Sequence, residues 1–156
     1  DCFNASGYRG HITRKDYEEN PAGPGGFNPF AAKPKDAARN LELRLENVRY
    51  SGALSTAEGH HIDRLEGNRW LSPVPLSKWY NIAFLECIPK APYQAGVLVR
   101  LEKGSVWNVT RTCYLTALTV DETSVLNGQV FVNGEAVTPE PNVTYTGTIT
   151  VEPGRR

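Results

Sequence analysis

The sequence predicts an all-β protein, and three observations carry that prediction. Apolar and charged residues alternate in several short runs, the second half is dense in β-branched residues, and turn residues punctuate the runs at short intervals. Residues 105–156 contain ten Thr and nine Val, whose branching at Cβ suits a pleated backbone. No stretch sustains a 3.6-residue period. Asp36 to Arg44 comes nearest, and there a short helix start competes with alternation.

The elements follow in chain order. Residues 20–37 read NPAGPGGFNPFAAKPKDA, with four Pro and three Gly, so a long irregular loop is expected there. Leu41, Leu43 and Leu45 alternate with Glu42 and Arg44, which puts three leucines on one face of a strand. The pattern returns at Val97, Val99 and Leu101, at Val130 and Val132, and at Val143, Tyr145, Ile149 and Val151. Gly104, Asn127-Gly128, Asn133-Gly134, Gly147 and Pro153-Gly154 are the expected turns. Leu43, Leu45, Val99 and Leu101 are expected to face one core. Trp107, between Val106 and Val109, is expected to be buried.

Length and composition bound the rest. At 156 residues and 17.2 kDa, the chain fits one domain, 1–156. Lys plus Arg and Asp plus Glu are 17 each, and this neutrality argues against nucleic acid as a partner. Apolar runs are far too short for a membrane span. Met is absent even from position 1, so a processed start or a piece of a longer parent chain is expected, with any leader already removed. The cysteines are Cys2, Cys87 and Cys113. Their odd number allows one disulfide with a free thiol or three thiols, and no CxxC spacing points to metal. No metal and no cofactor are expected.

Arg44-Leu45-Glu46 and Arg100-Leu101-Glu102 recur 56 positions apart, a spacing of two turns of about 28 in a solenoid. Residues 105–120, SVWNVTRTCYLTALTV, have the form Ser-x-Trp-x-Val-Thr followed by Tyr-Leu-Thr-x-Leu-Thr. This resembles a coil of the right-handed parallel β-helix repeats in bacterial surface proteins of the pectate-lyase-like superfold. The preceding VLVRLEKGS resembles the strand leading into that coil, and VLNGQVFVNG and VTYTGTITVEPG resemble closing coils. Upstream, LELRLENVRYSGALSTAEGHH resembles another coil. The likeness covers about residues 38–62 and 95–153. It implies a β-solenoid whose alternate residues stack inward, coil upon coil. The rival all-β architecture is an antiparallel β-sandwich.

Candidate chemistry gathers in the middle of the chain. His60-His61-Ile62-Asp63 is the best cluster of titratable groups. On a strand the two histidines point to opposite faces, whereas His61 and Asp63 share one, making these two the candidate catalytic pair. Trp70, Trp79 and Tyr80 can present flat rigid faces to sugar rings, and His60 can orient hydroxyls beside them. No nucleophile elbow, phosphate loop or zinc-protease motif occurs. The resulting expectation is a secreted or cell-surface binding module directed to a polysaccharide or other glycan. Its alternatives are a carbohydrate-active enzyme, either a polysaccharide lyase or a glycoside hydrolase, and a structural stalk segment.

Overall fold

The structure, a computed structural model, describes residues 1–4, 40–63, 69–70, 82–92 and 95–154. For residues 61, 63, 69–70 and 82–85 it describes the backbone alone. The loop expected at 20–37 lies outside the described residues. Among those described, every regular element is a strand, and no helix is long and apolar enough to cross a membrane.

Among the described residues twelve strands form two sheets. The smaller has four: β1 (Cys2–Asn4), β4 (Leu54–Asp63), β5 (Arg69–Trp70) and β6 (Ile82–Pro89). The larger holds β2 (Leu41–Glu46), β3 (Arg49–Gly52), β7 (Val97–Glu102), β8 (Val106–Val109), β9 (Cys113–Val120), β10 (Val125–Val132), β11 (Glu135–Val137) and β12 (Thr144–Pro153). Its order is β2-β7-β9-β12-β10-β8-β3, with β11 beside β10, and it curls into a half-barrel. The order is nested: β9 and β10 flank β12, β7 and β8 lie outside them, and β2 and β3 are outermost.

Each nested pair is strand, corner, strand, and the corners lie upon one another. Ser105, fully buried, donates its hydroxyl to the Leu45 and Glu102 carbonyls at 2.9 and 2.8 Å and accepts the Val48 N–H at 3.3 Å. Asp121 accepts the Lys103 N–H at 2.6 Å, and Thr123 Oγ1 accepts the Gly104 N–H at 2.8 Å. These side chains satisfy backbone groups that the sharp turns remove from the ladders. Asn47 and Lys103 turn their corners at φ 50° and 54°. The Ser124 hydroxyl, first, and then the Lys103 and Thr123 donors hold the Asp121 carboxyl down to about 2.

The core fills the curl. Val97, Val99 and Leu101 of β7, Trp107 and Val109 of β8, Leu115 and Leu118 of β9, and Ile149 and Val151 of β12 are buried in one cluster. Leu43 and Leu45 pack against that cluster, in register with Val99 and Leu101. Trp107 is fully buried, and its Nε1–H donates to the Gly52 carbonyl at 3.0 Å, so the indole satisfies its one donor in the apolar interior. The three cysteines are free thiols.

The parallel β-helix that the resemblance implied is overturned by the strand directions. β2, β7 and β9 run parallel, as do β3, β8 and β10, but β12 is antiparallel to both β9 and β10. β4 pairs antiparallel with β5 and β6. The 56-residue recurrence is a single step between adjacent strands, Arg44 opposite Arg100 and Leu45 opposite Leu101, and not two solenoid turns. The physical reason lies in Asn133 and Gly134. Their φ values of 51° and 89° have the signs of a tight hairpin turn, which folds β11 back on β10 and ends any onward coil. Alternation gives a strand its faces and carries no information about its direction.

Two expected turns are also corrected. Asn127-Gly128 lies inside β10, where a Cβ on Gly128 would sit 2.9 Å from the Glu152 carbonyl oxygen. Glycine there serves the close approach of two backbones. Gly147, at φ 116°, lies inside β12 where its register against β9 shifts, and the Thr148 N–H donates to Asn133 Oδ1 at 3.1 Å.

Candidate functional site

β4 carries two described titratable side chains, Glu58 and His60, of which His60 was singled out from the sequence. Pleating puts Glu58, His60 and Ile62 on one face of this strand. Antiparallel pairing with β6 sets Glu58 opposite Ile88 and His60 opposite Glu86. Just beyond β6, the Lys90 N–H donates to the Thr56 carbonyl at 3.0 Å. The Thr56 hydroxyl donates to the Lys90 carbonyl at 2.5 Å. This clasp fixes where the lysine side chain starts.

Three side chains meet there. Glu58 Oε1 lies 3.0 Å from His60 Nε2, and Glu58 Oε2 accepts from the Lys90 ammonium. The Glu58 and His60 side chains are only 13% and 16% exposed, whereas Lys90 is half exposed. The Lys90 hydrogen bond, foremost, holds the Glu58 carboxyl below the usual carboxylate range, against the opposing effect of burial. An ionised carboxylate only accepts, so His60 Nε2 carries the proton between them. The other ring nitrogen, Nδ1, has no hydrogen bond among the described residues.

The arrangement orients a histidine without activating a nucleophile. No described Ser, Thr or Cys bonds to His60. Among the described residues no three His, Cys, Asp or Glu side chains gather as a metal site. Cys87 lies on β6 opposite Gly59, and burial raises its thiol pKa, which works against a reactive thiolate.

The residues singled out from sequence divide. His60 is in the cluster. The β4–β5 register sets His61 opposite Trp70, which brings the backbones of the candidate base and one candidate sugar platform side by side. Asp63 is opposite Ile82, across a register shift that falls between Ile62 and Asp63. The side chains of His61, Asp63 and Trp70 lie outside the described residues, as do Trp79 and Tyr80 entirely. Sequence reasoning missed Glu58 and Lys90. The spacing of Glu58 two before His60 on a strand was a usable signal. Lys90 had none, because its place depends on the fold of the chain between β4 and β6.

Fold and cluster together define the class: an all-β protein whose curled sheet encloses the core and whose smaller sheet bears a half-buried Glu-His-Lys group. Comparison with protein-family models, with curated proteins and with solved structures gives no match in any of the three.

Proposed function

We propose that the chain is a binding module directed to a polysaccharide or other glycan, with the smaller sheet as its contact surface. The Glu58–His60–Lys90 group carries the reading. It offers an acceptor, an oriented imidazole and a donor within one partly open patch, a set suited to hydroxyl groups. Held ionised by Lys90, Glu58 is suited to accepting hydrogen bonds and not to the role of a glycosidase acid. A glycosidase acid needs the opposite, a carboxyl kept protonated by a raised pKa. The proposal includes a secreted or cell-surface location.

A panel of plant and microbial polysaccharides, read for both binding and soluble product, tests it. The expected result is saturable binding without product. His60→Ala and Lys90→Ala should each weaken it by about two- to tenfold, as loss of one hydrogen bond does, with cooperative melting retained. Absence of binding across the panel would favour a stalk segment. Product release abolished by His61→Ala or Asp63→Ala would replace binding with catalysis.

A further inference from the structure

Among the described residues, the outermost strands of the nested sheet leave one end of its core a layer short. β2 pairs only with β7 and β3 only with β8 among the described residues. Leu41, Leu43, Leu45 and Tyr50 are half-buried. Their register partners Val97, Val99, Leu101 and Trp107 are 1% exposed or less. The corner joining the two strands carries Val48, 40% exposed. The edge backbone is equally specific. The Leu41 and Asn47 N–H groups donate to the Gly96 carbonyl, just before β7, and to the Glu102 carbonyl at its end, and the Val48 carbonyl accepts from Val106. By strand alternation, the N–H and C=O groups of Glu42, Arg44, Glu46, Arg49 and Ser51 point away from the sheet.

We propose that this end is a homodimer interface, in which β2 of one copy pairs antiparallel with β3 of a second across a two-fold axis through the Asn47–Val48 corner. Three independent requirements agree on that register. It sets Glu46 opposite Arg49 of the second copy and Arg44 opposite its Ser51, and all four residues have outward-facing backbone groups, as hydrogen-bonded antiparallel pairs require. It sets Leu45 opposite Tyr50 of the second copy, apolar upon apolar, so each copy supplies the layer the other lacks. It adds Arg49 of the second copy to a Glu46 carboxylate that Arg44 and Lys103 of its own chain already face at 2.8 and 2.5 Å, and brings the two Val48 side chains together at the axis. Direct β2–β2 pairing about Arg44 would instead face Arg44 with Arg44 and leave β3 uncovered, and like charges directly opposite are unfavourable. The pairing is isologous, as a two-fold dimer demands.

Sedimentation of the full chain over a wide concentration range reads the assembly directly. The expected result is a monomer–dimer equilibrium. Arg49→Glu or Glu46→Arg, which each act twice across the axis, should weaken it about tenfold, and the double exchange should restore most of the loss. Both positions are on the exposed face, so near-UV circular dichroism should be unchanged. Amide hydrogen exchange on the unmodified chain gives a second reading. Amides of Arg44, Glu46, Arg49 and Ser51 should gain protection as concentration rises. A monomer at all concentrations overturns the proposal, whether these amides are open or are already protected by another segment of the chain. A dimer indifferent to both single exchanges overturns it as well.

Discussion

The two sheets solve different problems with the same strand. In the larger sheet, alternate residues close on a dry interior, and at the corners Ser105, Thr123 and Asp121 satisfy turning backbone. In the smaller sheet, the described polar side chains sit along the strand itself, and Glu58 and His60 are half-buried between strands instead of capping turns. The difference separates stability from chemistry. Groups that close a turn have their partners fixed by the backbone, whereas Glu58, His60 and Lys90 are held by one another and keep open sides. Substitutions should therefore act on melting in the first region and on binding in the second.

The largest expected effect is at Trp107. Trp107→Ala removes a fully buried indole and should destabilise the domain by about 3–5 kcal/mol, measured by urea denaturation. Trp107→Phe keeps most of the volume but leaves the Gly52 carbonyl without its partner, and should lose about 1–3 kcal/mol. Leu101→Ala should cost about 2–5 kcal/mol. Leu45→Ala, its half-buried register partner on β2, should lose clearly less in dilute solution, and equal losses would show that the outer layer is as closed as the inner one.

Gly96→Ala gives a smaller effect. A Cβ there would fall on the Thr116 side chain, and overpacking should cost about 1–3 kcal/mol. The smallest effects are pH-dependent. The folded-state pKa of Glu58 is lowered, so its stabilisation is fully present above its unfolded value. It is lost as pH falls through the lower folded value. Glu58→Gln should flatten the stability profile in that acidic window, lowering melting at neutral pH and converging with the unmodified chain in acid. Asp121 has the same sign, and its contribution should fade as pH drops from the ordinary carboxylate range through about 2. Asp121→Asn removes that dependence, and acid melts of the two variants compare a corner carboxylate with a strand carboxylate.

How much of this was legible in the sequence follows from what alternation encodes. Leu43, Leu45, Val99 and Leu101 share a core because side chains two apart share a face, and that rule needs no partner strand. Trp107 was readable as buried for the same reason. The direction of β12 was not readable from its own residues. It depends on the positive φ of Asn133 and Gly134, a turn signal visible in the sequence, and on pairing with two strands at once. Asn127-Gly128 carried the same dipeptide signal with the opposite outcome, because Glu152 and Val109 press on Gly128 from elsewhere in the fold. At the candidate site, the spacing of Glu58 and His60 was local, whereas Lys90 arrives through a 32-residue separation that no short-range rule spans.

The nested order also sets a timetable for synthesis. β12 is the central strand of the larger sheet and follows all the others in the chain. While the polypeptide emerges from the ribosome, β2, β7 and β9 can associate, and so can β3, β8 and β10. The edges of β9 and β10 that β12 will occupy stay open until residues 144–153 arrive. Such open edges invite pairing with other chains. The interval between the appearance of β10 and that of β12 is therefore the period of greatest vulnerability for the nascent protein, when a chaperone that shields strand edges would be of most use.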